Sequence, residues 1–179
     1  MAKFEKVFKY NGIDIPLPVR KTAHSAGYDM VAAEDTIIPS WLTMSKSISE
    51  AFPVPEDNYI DLDTMAKLTK ETGYRPTLVS TGMKCQLEDN TYLELSVRSS
   101  SPLKYGIFMA NSVGIIDKDY YNNPDNEGEI FFQLINLTPY NIIIKKGEAI
   151  GQAIIHRYET VEGDTATAVR TGGFGSTGV

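Results

Sequence analysis

The last ten residues, Arg170–Val179, can bind a small anion but are poorly suited to a core element. They include four glycines, and glycine loses more backbone freedom on ordering than any other residue. Bare backbone N–H groups, together with Arg170, Ser176 and Thr177, are donors suited to phosphate oxygens. Phe174 could lie flat over a ring. The segment is therefore either a lid that closes over a ligand or a frayed terminus.

A second polar cluster, Arg98-Ser99-Ser100-Ser101, directly follows Thr91–Val97, whose near alternation of apolar and polar residues predicts a half-buried strand. A strand that ends in a guanidinium and several hydroxyls delivers donors that can surround a phosphate. The same four residues would also make an ordinary polar turn.

The segment from Asn111 to Tyr120 has an apolar run that ends in an acid, followed by an aromatic residue three positions later. Gly114 allows the backbone to approach a ligand closely, so that backbone N–H and C=O groups can meet the edge of a planar base. Asp117 is then placed to polarise a water, and Tyr120 could press on a sugar. The alternative is a strand followed by a charged turn.

Two further segments carry single polar side chains in apolar or glycine-containing surroundings. Asp29 lies in Ala26–Met30 next to a glycine, where it is either a ligand-facing carboxylate or a turn residue. Gln152 lies within the apolar run Gly151–Ile155, and a buried glutamine needs a protein or ligand partner.

Composition limits the classes of protein and of ligand. The chain has 179 residues, is 42% hydrophobic and carries a net charge of -6, which suits one globular domain and disfavours broad binding to nucleic acid. We find no apolar run of membrane-spanning length and no secretion signal. One cysteine, Cys85, indicates a reducing compartment. With only His24 and His156 beside it, the sequence disfavours a structural or catalytic zinc site.

Short β-rich runs dominate the chain and predict an all-β sandwich, jelly roll or barrel. Ile142–Ile144, Gly147 and the following Ala149-Ile150 indicate a hairpin. Asp61–Gly73 departs from this pattern, because its apolar residues have near-helical spacing between an N-capping aspartate and a glycine stop. We expect a short helical insertion there. The full set of predicted strands is Phe4–Tyr10, Tyr28–Ala33, Thr36–Ile38, Thr77–Cys85, Thr91–Val97, Val113–Ile116, Glu129–Leu137, Tyr140–Ile144 and Ala149–Tyr158.

In order and content, the five polar segments resemble the five motifs of the homotrimeric dUTP diphosphatase (dUTPase) family. The matching segments are Ala26–Met30, Arg98–Ser101, Asn111–Tyr120 with Gly128-Glu129, Gly147–Ile155 and Arg170–Gly178. The resemblance implies a β jelly roll, three subunits that share three active sites, and Mg²⁺-dependent hydrolysis of dUTP to dUMP and pyrophosphate. It divides the chain into a β domain over 1–169, with an insertion at 40–76, and a closing arm over 170–179.

The resemblance also assigns roles to individual residues. It makes Asp117 the general base for water and lets Asp29 reach the metal through a water. It assigns the base and sugar to Asn111, Gly114, Ile115, Ile116, Tyr120 and Phe174. It assigns the phosphates to Arg98, Ser99, Ser100, Gln152, Arg170, Gly175, Ser176 and Thr177.

Two segments are longer than the family pattern. Residues 121–127 lengthen the third motif, and we expect them to form a hairpin tip outside the base pocket. The insertion at 40–76 far exceeds the usual connection and either elaborates the surface or binds a protein partner, as in a dUTPase that is also a regulator. A dCTP deaminase of the same fold is the other alternative. We expect a cytoplasmic location, in the host cytoplasm if a phage encodes the chain.

Overall fold

The computed structural model describes residues 1–52, 59–168, 170 and 172–173. Within that part of the chain, short antiparallel strands predominate and three short helices interrupt them. The strands are β1 (Lys3–Lys6), β2 (Tyr28–Val31), β3 (Thr36–Ile38), β4 (Thr77–Ser80), β5 (Met83–Gln86), β6 (Thr91–Ser96), β7 (Ile107–Met109), β8 (Gly114–Ile116), β9 (Phe131–Asn136), β10 (Ile142–Ile144) and β11 (Ala149–Arg157). The helices are α1 (Trp41–Ala51), α2 (Leu62–Thr72) and α3 (Ser100–Tyr105).

Two sheets enclose the core. One has the strand order β2-β11-β6-β8, the other has the order β4-β9-β7, and β1-β5 and β10-β3 form two smaller pairs. Burial alternates along β6 and β9, as a sheet with one face on the core requires. Leu93 and Leu95 of β6 and Phe132 and Leu134 of β9 are almost fully buried. The prediction of a mostly β domain is confirmed.

The predicted helix at 61–73 is present as α2, and its ends follow the expected chemistry. The Asp61 side chain accepts a hydrogen bond from the Thr64 N–H at 2.7 Å, which satisfies one of the free donors of the first turn. Gly73 ends the helix with a φ of 69°, a conformation that a glycine adopts without strain.

Helix α1 was not predicted, although Trp41, Met44 and Ile48 have helical spacing, because serines and a threonine with modest helix propensity occupy much of the segment. Its N-cap, Ser40, is completely buried and donates its hydroxyl to the Thr138 carbonyl at 2.7 Å. The rings of Trp41 and Tyr74 lie 4.3 Å apart, so the two ends of the helical insertion meet at the β domain. Tertiary contacts at the base of the insertion therefore support a helix that local sequence only weakly favours.

The predicted hairpin between Ile142–Ile144 and Ala149 is wrong, although the turn between them exists. β10 pairs with β3, whereas β11 pairs with β2 and β6. The turn is bonded to the end of β2 instead, since the Gly147 N–H donates to the Ala32 carbonyl at 2.8 Å. A local turn signal does not determine which strands pair across the domain.

Two predicted strands are shortened or divided, and one observed strand was not predicted. Thr77–Cys85 is two strands, because Gly82 between them has a φ of 66°. Phe4–Tyr10 ends as a strand at Lys6 and continues into a 3₁₀ turn. The edge strand β7 was not predicted.

Candidate active site

A cleft of about 220 Å³ lies between β8 and β9 and contains most of the predicted base and sugar residues. Its lining residues are Leu95, Asn111, Gly114, Ile115, Ile116, Asp117, Tyr120, Glu129, Phe131, Gln133 and Arg170. We call this space the base cleft. Apolar side chains form much of its wall, and polar groups from separate parts of the chain converge on it, as in small-molecule sites generally.

β8 supplies backbone groups to the base cleft. It is the last strand of its sheet, and its free edge pairs with no other described strand. Its N–H and C=O groups on that side therefore have capacity for a ligand. A Cβ atom at Gly114 would lie 3.2 Å from the Cβ of Leu95, so a larger residue would push β8 away from β6. Gly114 therefore allows β8 to pack closely against β6, and this close packing sets the position of the free β8 edge in the cleft.

Asp117 follows β8 directly and lies at the mouth of the base cleft, with its side chain about half exposed. The Arg170 guanidinium binds it, with Nη2 donating to Asp117 Oδ2. The same guanidinium donates from Nε to Asp119 Oδ1 at 3.1 Å. In this arrangement the start of the C-terminal segment contacts the predicted general base of its own chain, rather than a phosphate.

Tyr120 lines the cleft and is almost fully buried, with 6% of its surface exposed. Its hydroxyl donates to the Glu129 carbonyl at 3.0 Å and accepts a hydrogen bond from Asn126 Nδ2 at 2.7 Å. Burial raises the pKa of the phenol above its ordinary value. Gly173 lies against the ring, because a Cβ atom there would be 2.8 Å from Tyr120 Cε2. The ring is therefore enclosed from several sides.

Glu129 lines the cleft, but its carboxyl is engaged by the protein. The Ser80 hydroxyl donates to Oε1, and the Gly82 N–H donates to the same oxygen at 3.3 Å. Burial raises the pKa of this carboxyl, while the two hydrogen bonds act in the opposite direction. These contacts assign Glu129 to holding the turn between β4 and β5.

Apart from Arg170, the described residues that were predicted to bind phosphate or metal do not line the base cleft. Asp29, Gln152 and Ser96 occupy one row across β2, β11 and β6. Gln152 donates from Nε2 to the Ser96 hydroxyl at 3.3 Å. A Cβ atom at Gly27 would lie 2.3 Å from Gln152 Oε1, so a larger residue there would displace the Gln152 carboxamide.

Arg98 and Ser100 line a second cleft of about 360 Å³, bordered by β10 and the start of β11. Ser99 precedes α3, directly beyond the end of β6. The structure thus brings the base residues together in one cleft and places Arg98 and Ser100 in another. The predicted lid residues Phe174, Gly175, Ser176 and Thr177 lie outside the described residues.

The sequence analysis missed Leu95, Phe131 and Gln133 as lining residues. Phe131 and Gln133 share one face of β9, so period-2 alternation was the signal that could have identified them. The carboxamides of Gln133 and Asn111 have no hydrogen-bond partner among the described residues, which leaves both amides available to a ligand.

Comparisons with known proteins agree with one family. A family model described as dUTPase matches residues 54–178. The deoxyuridine 5'-triphosphate nucleotidohydrolase of Lactococcus lactis is 39% identical over 177 residues, covering 98% of this chain and 96% of that protein. The corresponding enzyme of Rickettsia felis is 33% identical over 183 residues, covering 99% of this chain and 97% of that protein.

Solved structures give the same result. The dUTPase from Streptococcus mutans superposes with a TM-score of 0.68 at 34% identity, covering 89% of this chain and 98% of that one. A variant dUTPase from phage phi11 of S. aureus, described with a structural Mg(II) ion, has the same fold at a TM-score of 0.59 and 12% identity, covering 94% and 97% of the two chains.

These matches place the chain among jelly-roll-like β hydrolases of nucleotide metabolism. It belongs to the dUTPase family. None of the described helices has the length and hydrophobicity to cross a membrane.

Proposed function

We propose that this dUTP-hydrolysing enzyme uses Asp117 to direct a water molecule at the α-phosphorus of dUTP. The water oxygen forms a bond to that phosphorus, and the bond from the phosphorus to the oxygen that bridges to the β-phosphate breaks. The water proton passes to the Asp117 carboxylate, and pyrophosphate leaves with the bonding electron pair. The observation that carries this proposal is the position of Asp117 at the end of β8, beside a free strand edge in the base cleft.

Recognition of uracil rests on the β8 edge and the free carboxamide of Asn111. Uracil presents two carbonyl acceptors around one N–H donor, and a fixed row of backbone groups can match only one such pattern. Cytosine has an amino donor where uracil has a carbonyl acceptor, so buried polar groups of the protein would be left without partners. Such a mismatch lowers binding more than the loss of one methylene group does. The close packing around Gly114, Ile115 and Ile116 leaves little space for the 5-methyl group of thymine. Phe174 would stack over the base.

The sugar would meet Tyr120, whose buried ring leaves no room for a 2′-hydroxyl. Arg98, Ser99, Ser100 and Gln152 would hold the phosphates. Donors of the arm over 170–179 would complete this set: Arg170, Gly175, Ser176 and Thr177. Arg170 would exchange its present carboxylate partners for phosphate oxygens, which a guanidinium binds with similar geometry.

A magnesium ion fits the donors of this site. The described residues contain no cluster of three or more His, Cys, Asp or Glu side chains. Asp29 is the carboxylate in the row that contains Gln152, and it would reach the ion through a water. Mg²⁺ dehydrates reluctantly and is commonly held by substrate phosphates and waters with one or two carboxylates. When bound, it would neutralise charge on the triphosphate.

A nucleotide panel tests the assignment. We expect pyrophosphate release from dUTP at a rate at least about 10²-fold above that from dCTP, dTTP or UTP. Cytosine would leave buried polar groups unpaired, whereas the 5-methyl group of thymine and the 2′-hydroxyl of UTP would not fit the packed site. Hydrolysis in H₂¹⁸O should place the label in dUMP. Label in pyrophosphate would contradict attack at the α-phosphorus, and ammonia release from dCTP would instead support the deaminase alternative.

We further propose that the enzyme is a homotrimer whose active sites lie between subunits. The separation of the base cleft from the cleft that contains Arg98 supports this, because one substrate must contact both sets of residues. Closed cyclic assemblies with shared interfaces satisfy such a requirement.

Co-expression of two inactive variants tests the shared site. Asp117→Asn and Arg98→Ala should each be inactive alone, whereas mixed trimers should recover a substantial fraction of wild-type turnover. Recovery is expected because some sites then combine an intact Asp117 with an intact Arg98 from the other subunit. Co-expressed variants without recovered activity would place the complete site within one chain.

The remaining assignments concern organisation and location. We propose a β domain over 1–169 and a closing arm over 170–179. The insertion at 40–76 packs through Trp41 and Tyr74, which supports a structural elaboration. Deletion of 42–74 with assays of turnover and partner capture would test the alternative regulatory role.

Burial raises the pKa of the Cys85 thiol to about 12, and this unreactive thiol is compatible with the cytoplasm.

A further inference from the structure

We propose that Asn126, in the lengthened loop 121–127, is a positioning residue that orients Tyr120 and thereby sets the preference for deoxyribose over ribose. This inference rests on the proposed contact between Tyr120 and the sugar. It gives the loop a role in substrate selection, whereas sequence alone indicated a hairpin tip away from the pocket.

The hydrogen bonds around the phenol leave its hydroxyl little freedom. Its one proton is donated to the Glu129 carbonyl at 3.0 Å, and its oxygen accepts from Asn126 Nδ2 at 2.7 Å. The Asn126 amide is itself oriented, because Oδ1 accepts a hydrogen bond from the Gly128 N–H at 3.0 Å. A flip of this amide would lose both contacts.

The backbone of the loop forms a compact unit. The Glu127 N–H donates to the Asn123 carbonyl at 2.7 Å, and the Asn122 N–H donates to the Glu127 carbonyl at 3.0 Å. Asn123 is buried. Gly128 has a φ of 77°, and a Cβ atom there would lie 2.3 Å from the Tyr120 carbonyl oxygen. The loop therefore packs directly behind Tyr120.

The outer side of the loop is anchored to the N-terminal part of the domain. The Glu127 carboxylate accepts hydrogen bonds from the Phe8 N–H at 3.1 and 3.2 Å. Lys84, on β5, donates to Asn122 Oδ1 at 2.6 Å and lies 3.3 Å from Glu127 Oε2. The loop is therefore anchored on its outer side, and the hydrogen bond from Asn126 connects it to the Tyr120 hydroxyl.

A ring held at its hydroxyl presents a fixed wall to the sugar. If Asn126 is lost, the phenol keeps one anchor, at Glu129, and the ring gains freedom to tilt. Ribose carries one more hydroxyl than deoxyribose, so a tilted ring relieves the steric conflict with UTP more than it affects dUTP. The net contribution of one buried hydrogen bond sets the scale of the expected change in the dUTP-to-UTP ratio.

The test compares kcat/KM for dUTP and UTP in purified full-length variants. Asn126→Ala should lower the dUTP-to-UTP ratio about fivefold, the factor that corresponds to one net hydrogen bond. Asp125→Ala is the matched control, because this exposed residue lies in the same loop, and we expect an unchanged ratio. Asn126→Leu has nearly the same size but cannot hydrogen-bond to Tyr120, and it should also lower the ratio if the alanine variant does not fold.

A double-mutant cycle separates positioning from general stability. In a Tyr120→Phe background, Asn126→Ala should cause no further change in the ratio, because the shared hydrogen bond is already absent. An unchanged ratio in folded Asn126→Ala, or an equal further fall in the phenylalanine background, would overturn the proposal. If Tyr120→Ala also leaves the ratio unchanged, the proposed sugar contact is wrong as well, which distinguishes the two failures.

Discussion

Replacing Asp117 with asparagine should lower kcat for dUTP by at least about 10²-fold while leaving nucleotide binding nearly unchanged. Asparagine has the same shape as aspartate but cannot accept the proton from water. The substitution should therefore slow the chemical step and leave the affinity for the nucleotide nearly unchanged. Binding measured by calorimetry with a non-hydrolysable dUTP analogue, and turnover measured by pyrophosphate release, separate these two quantities.

The control for this variant is Asp119→Asn. Both aspartates bind Arg170, but in the structure only Asp117 is among the residues described as lining the base cleft. We expect a much smaller loss of kcat in Asp119→Asn, because it weakens the ion pair without removing the base. Wild-type turnover in Asp117→Asn would remove Asp117 from the chemistry. Equal losses in both variants would instead assign the effect to Arg170.

Truncation after residue 169 should leave a folded oligomer whose kcat/KM for dUTP falls by at least about 10²-fold, the typical cost of losing one preorganised donor to a developing charge. The deletion removes Arg170, which lies at the mouth of the base cleft, and Gly173, which lies against Tyr120. Closure of such a segment excludes water and completes the set of donors.

A second truncation, after Gly173, retains those two contacts and removes only the remainder of the arm. Comparison of the two variants divides the effect between Arg170 and the predicted lid residues Phe174, Gly175, Ser176 and Thr177. Thermal unfolding should show that both truncated proteins remain folded, and light scattering should show that each has the same number of subunits as the full-length protein. If the shorter variant hydrolyses dUTP at the wild-type rate, the arm has no part in catalysis.

The local chemistry of the chain was sufficient to predict several features. The capping aspartate and terminal glycine of α2 were recognised because both act within one helical turn. The alternation in β6 identified a half-buried strand because side chains point to opposite faces in turn. The run from Gly114 to Asp117 predicted a ligand-facing strand that ends in an acid, because all of its features lie close together along the chain.

Pairing and proximity between distant segments depended on the tertiary structure. The turn at Gly147 joins β10 to β11 but bonds to β2, so a hairpin signal led to the wrong partner. Gln133 lines the base cleft because the tertiary fold brings β9, from the other sheet, to the opposite wall from β8.

The role of the lengthened loop likewise followed only from contacts across the fold. Asn126 meets the Tyr120 hydroxyl because residues 122–128 turn back on themselves, and Lys84 supports them from another strand. The sequence by itself thus determined the residue types available for chemistry, the family to which they belong and the elements with local signals. The tertiary structure decided which of those residues share a cleft, because packing energy depends on neighbours that are distant along the chain.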